Sequence, residues 1–153
     1  MISFRLLLVF LFLKTAAIRL FRKKLYQTCV AGIITCKYLP NRNYVISIVE
    51  GSPNLRESFT LIKETVPYGH KFLLCGSIYK HKKPGLFVKI IHTCTSTNRQ
   101  FYKLFLQDID QKFIKGVKRN KFKLREPYIL GKVELSNYPS VYLSRYINRR
   151  ASQ

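Results

Sequence analysis

Acidic side chains are what this sequence has least of: seven Asp and Glu stand against 28 Lys and Arg in 153 residues, a formal net charge of +21. So few carboxylates leave little material for paired acid/base chemistry. Asp108 and Asp110 can share a strand face, but beside a turn they read as a solvated strand end rather than a catalytic dyad. Histidine is scarce as well, with His70, His81 and His92 only, and no ligand pair falls at a zinc spacing, so no metal site and no catalytic residue is expected. There is no Asn-x-Ser/Thr sequon, which removes the expectation of N-glycosylation. Helical periodicity is almost missing too. The apolar run Leu6–Leu13 is well short of the roughly 20 residues a membrane-spanning helix needs.

That short run has a different meaning at the N-terminus. Arg5 supplies a basic start, Leu6–Leu13 an apolar centre, and Thr15-Ala16-Ala17 small residues at the offset a signal peptidase reads. Residues 1–17 therefore read as a cleaved secretory signal, with an uncleaved signal anchor as the alternative. The remainder is long enough for one sandwich core. Residues 18–29 read as a linker or leading strand, 30–135 as the folded domain, and 136–153 as a basic, loosely held tail. Four cysteines in a secreted chain imply disulfides, for which three connectivities exist.

Between Val30 and Glu50 the chain reads strand, turn, strand. Val30, Gly32, Ile34 and Cys36 alternate on one face, Pro40 ends pairing, Asn41-Arg42-Asn43 turns, and Val45–Val49 is a β-branched run, together a hairpin. Further strands follow at Leu55–Thr65, Phe72–Gly76, Leu86–Cys94, Phe101–Leu106 and Ile129–Leu135. Short strands separated by turn clusters such as Gly51-Ser52-Pro53-Asn54 give an all-β class, a two-sheet sandwich of about seven strands.

Four of these stretches carry a resemblance. Val30-x-Gly32-x-Ile34-x-Cys36-x-x-x-Pro40, Phe72-x-Leu74-x-Gly76, Val88-x-Ile90-x-His92-x-Cys94 and Gly131-x-Val133-x-Leu135, in that order, resemble motifs of the nematode transthyretin-like family of secreted β-sandwiches. The resemblance covers roughly residues 30–135. It departs from the family at Gly69, which stands three residues before Phe72 instead of two, and at Asp108, which stands where a Pro is usual. It also departs in lacking the family's later cysteines, with Cys29 and Cys75 in their stead. The resemblance implies a transthyretin-like fold, an extracellular location and interaction roles without established chemistry. Hydrolases of the same fold open 5-hydroxyisourate and end in Tyr-Arg-Gly-Ser/Thr, a tetrapeptide that occurs nowhere in this chain.

Strand parity bears on the cysteines. Cys36 shares a face with Val30 and Ile34, and Cys94 shares one with Val88 and Ile90, so both thiols point into the core if those faces are buried and a Cys36–Cys94 bridge follows. Cys29 and Cys75 have the opposite parity to their apolar neighbours, and are placed to bridge each other on another face. Oxidation in a secreted chain argues against a cysteine nucleophile. His92, on the face of Ile90 and Cys94, reads as a buried, hydrogen-bonded histidine.

The densest basic stretch is Lys112, Lys115, Lys118, Arg119, Lys121, Lys123 and Arg125, with no acid among them and Phe113 and Phe122 interleaved. It is the candidate anion-binding surface, where phosphate or sulfate groups meet Lys and Arg heads and release counterions. The alternative is a solvated loop between strands. Candidate partners are an anionic lipid surface or a sulfated glycan, with an extracellular protein or a hydrophobic ligand also open. Single-stranded nucleic acid would suit basic and aromatic residues together, but secretion argues against it.

Overall fold

The computed structural model describes residues 23–39, 41–51, 59–96, 101–117, 126–138 and 141–142. Nine strands form two sheets among them: β1 (Lys24–Thr35), β2 (Asn43–Glu50), β3 (Phe59–Pro67), β4 (Lys71–Lys80), β5 (Leu86–His92), β6 (Lys103–Asp108), β7 (Lys115–Val117), β8 (Tyr128–Glu134) and β9 (Val141–Tyr142). Strand β1 is the spine of the first sheet. It pairs along one side with β4, antiparallel, and along the other with β7 over Leu25–Gln27 and with β8, in parallel, over Val30–Thr35. The second sheet runs β3-β2-β5-β6-β9. The expected all-β, two-sheet sandwich is what these strands make; the count exceeds seven because the two- and three-residue strands β9 and β7 carry too little pattern to read in advance.

Even-numbered residues of β1 and β4 face the second sheet. Val30, Ile34 and Leu74 are fully buried there, against Ile46, Ile48, Val88 and Ile90 from β2 and β5. At about 2 kcal/mol for each fully buried aliphatic side chain, this interior is the main source of stability. The Lys80–Glu50 ion pair, 2.7 Å long, joins β4 to the end of β2.

The Val30–Glu50 stretch is not a hairpin. Its two strands lie in different sheets, β1 beside β4 and β2 between β3 and β5, so the chain passes from one sheet to the other between Thr35 and Asn43. The physical reason is that each strand has an apolar face to bury: stacking β2 over β1 buries both inward faces together, which pairing them edge to edge in one sheet would not. Two segment boundaries shift as well. Residues 24–29, expected as linker or leading strand, are the first half of β1. Val141–Tyr142, expected in a loose tail, pairs with Lys103–Leu104 and so occupies the edge of β6. The third strand is Phe59–Pro67 and the sixth begins at Lys103, each later than the sequence pattern placed it.

The bulge between β1 and β8 depends on two glycines. The register jumps between Ala31, opposite Ile129, and Gly32, opposite Gly131. A Cβ on Gly32 would stand 2.9 Å from the Gly131 carbonyl oxygen, and Gly131 itself has φ +77°. Neither position suits a larger residue.

Both expected disulfides are present, Cys29–Cys75 and Cys36–Cys94, leaving no free cysteine and no thiol nucleophile. Cys29 and Cys75 are direct partners in the β1–β4 register, with Cα atoms 4.1 Å apart. Cys36 and Cys94 follow the ends of β1 and β5, so their bridge ties one sheet to the other.

Candidate anion-binding surface

The basic run begins on a single 3-10 turn, Gln111–Phe113, ahead of β7. Asp110 caps that turn, its carboxylate accepting from the Lys112 amide at 2.9 Å, and it also holds the Lys112 ammonium at 3.2 Å. These contacts hold the Asp110 carboxyl below its usual range, the amide hydrogen bond first. Lys112 also lies 5.2 Å from the centroid of the Phe113 ring, which in turn meets Tyr128 edge-on at 5.3 Å. Ile114 is buried beneath the turn and anchors it. Lys112 is thus partly neutralised. Lys115, one step further, is exposed and pairs with Gln27 on the outward face of β1, where it shares a small recess with Phe113 and Glu126.

Of the seven candidate anion-binding residues, then, Lys112 and Lys115 are placed on one side of the four-stranded sheet. Lys118, Arg119, Lys121, Lys123 and Arg125 lie outside the described residues. Their flanks are fixed: Val117 is opposite Leu25 and Tyr128 opposite Val30, so the run leaves and rejoins the same edge of β1. The sequence reading missed Lys71 and Lys132, which pairing brings to either side of Ile33 on that sheet. Neither belongs to a basic run, and only the alternation of each strand could have marked them as outward-facing.

His92 is the one buried histidine. It is 1% exposed, its Nδ1 accepts from the Cys94 amide at 3.2 Å, and Nε2 has no hydrogen-bond partner. Burial, helped by the Lys103 ammonium opposite it, lowers its pKa from 6.5 to about 4, so the ring is neutral at pH 7. Tyr44 and Tyr68 stack nearby in the interior, their rings 5.3 Å apart, and burial raises both phenols, Tyr68 to about 12. A neutral imidazole with raised phenols around a disulfide is an interior polar cluster with no channel to a substrate among the described pockets. Among the described residues no group of three or more His, Cys, Asp or Glu is placed to hold a metal ion.

Fold and surface together define a two-sheet β-sandwich closed by two disulfides, with Lys71, Lys115 and Lys132 on the outward side of the four-stranded sheet. No family model matches the chain, and no curated protein does. Among solved structures, a 9R-lipoxygenase from Cyanothece PCC8801 aligns at a TM-score of 0.35 and 15% identity, over 74% of this chain and 17% of that one. At that level of similarity it carries no argument about this chain.

Proposed function

We propose that this is a secreted, non-enzymatic binding protein of the transthyretin-like kind, which associates in the extracellular space with an anionic surface, either anionic lipid or sulfated glycan. The observation that carries the reading is the charge: a net +21, with an acid-free run of seven cations in the sequence between Lys112 and Arg125. Such a field speeds encounter with anionic partners and concentrates them at the surface. The leader-like N-terminus and the two disulfides support an oxidising, extracellular setting. The four spaced motifs support the transthyretin-like assignment.

The test is expression in a secreting eukaryotic cell. Protein recovered from the medium should begin after Ala17 and should bind heparin or phosphatidylserine vesicles in a way that weakens steeply with salt. Retention of the whole chain inside the cell, or binding to neither probe at low salt, would overturn the reading.

A further inference from the structure

The outward face of the four-stranded sheet differs from an ordinary solvated face. Register sets its rows: Leu73, Ala31 and Ile129 lie side by side across β4, β1 and β8, and Lys71, Ile33 and Lys132 form the next row. Leu73 is 50% exposed and Ile129 is 65% exposed, with Tyr79 at 53% further along β4. A shallow groove runs between them, lined by Ala31, Ile33, Phe72 and Ile129 with Lys71 and Lys132 beside it. On the other sheet, by contrast, the outward-facing Val49 and Phe87 are fully buried. Among the described residues, the exposed aliphatic side chains Leu73 and Ile129 thus lie in one row of the four-stranded sheet, an arrangement that marks an interaction surface. The Cys29–Cys75 bridge lies in the row beside Leu73 and staples the two strands that carry it.

We infer that this face docks onto an anionic lipid bilayer, with Leu73 and Ile129 entering the acyl boundary, Tyr79 at headgroup level, and Lys71, Lys132 and Lys115 meeting lipid phosphates and carboxylates. The inference rests on the proposed attraction to anionic surfaces and selects lipid from the two candidates. Charge complementarity carries the choice. The paired rows from Lys71 to Tyr79 carry Lys71, Lys132 and Lys115 and no carboxylate, and Glu126 lies beside Lys115 in the recess at their edge, so a second copy of the same face would meet mostly lysine with lysine. A sulfated glycan would use the lysines and leave the exposed aliphatic row in water. A bilayer of anionic lipid uses both, because apolar insertion and headgroup attraction add. Tyrosine, with an apolar ring and a polar tip, suits the interface between them.

The sequence contains no tryptophan, which makes a clean optical test available. Ile129→Trp introduces the protein's single indole on β8, at the end of the aliphatic row. With vesicles of phosphatidylserine and phosphatidylcholine, its emission should shift to the blue and be quenched by brominated acyl chains. In the same assay, Leu73→Ser with Ile129→Ser should weaken vesicle binding by about tenfold or more while leaving heparin binding unchanged, since aliphatic burial is lost and the net charge is kept. Lys71→Gln with Lys132→Gln should weaken it by about tenfold as well, and steepen no further with salt. Unchanged thermal midpoints in these exposed-site variants would show that folding is intact. An unshifted, unquenched indole on bound protein, or a Leu73→Ser, Ile129→Ser variant that binds vesicles as the parent does, would overturn the face while leaving the attraction to anionic surfaces standing. Binding of the parent to heparin but not to vesicles would overturn the lipid in favour of the glycan. Binding to neither would overturn both.

Discussion

At the scale of single residues, His92 has the clearest measurable consequence. Its imidazole is buried, neutral and shifted from 6.5 to about 4, so between those values the unfolded chain takes up a proton that the folded chain refuses. Stability is therefore fully present above pH 6.5 and is lost as pH falls towards 4. At about 1.4 kcal/mol per pH unit, the loss amounts to about 3 kcal/mol at most. Glu134 acts in the same direction over a lower window. Burial would raise its pKa, but hydrogen bonds from Ser136 and from the Lys37 amide bring it from 4.5 to about 2, so its contribution fades only below pH 4.5. The window from 6.5 to 4.5 thus isolates the histidine. Urea unfolding across it should show a clear fall in stability for the parent and a shallower one for His92→Leu. Equal slopes in the two proteins would remove His92 as the source. The burial of His92 was legible from the sequence, because it shares strand parity with Ile90 and Cys94. The main cause of the shift was therefore legible too, while the smaller contribution of Lys103 was not, since it stands opposite only through the β5–β6 register.

Elements show where sequence reading works and where it stops. Alternation within one strand reports which side chains point inward, and this was enough for the Cys36–Cys94 bridge and for the core positions Val30, Ile34, Val88 and Ile90. It does not report which sheet a strand joins. β1 and β2 are adjacent in sequence and joined by a polar turn, as a hairpin would be, yet they face each other across the interior. The deciding contacts are with β4, β5 and β8, all of them distant in sequence. The inter-sheet bridge bears on exactly that arrangement's stability, because it closes a chain separation of 58 residues between the two layers. The chain-entropy model gives about 4 kcal/mol for a loop of that length. Cys36→Ser with Cys94→Ser should lower unfolding stability by about that amount in oxidising buffer while β-sheet circular dichroism persists. An unchanged urea midpoint would mean that the rest of the fold holds the layers in register without it.

For the whole molecule, charge is the property most fully legible in advance, because it needs no fold to be counted, and its placement is the part that needed one. The run from Lys112 to Arg125 read as a single basic surface; the structure gives Lys112 to Asp110, turns Lys115 onto the outward face of β1, and sets Lys71 and Lys132 beside that same face from strands where nothing in the local sequence drew notice. Long-range attraction and close docking then become separable contributions. On the proposed function the run supplies the first, and Lys118→Gln, Arg119→Gln, Lys121→Gln and Lys123→Gln together should weaken adsorption to heparin or to anionic vesicles by a few kcal/mol, at about 1 kcal/mol for each cation near an anionic surface. Most of the net charge of +21 remains in that variant, so residual binding should persist and still fall with salt, with a shallower slope. Thermal stability should be unchanged, since no residue of the buried core is altered. If the quadruple variant binds as tightly as the parent through a full salt series, the run is a solvated connection between β7 and β8, and attraction must come from the lysines on the sheet itself.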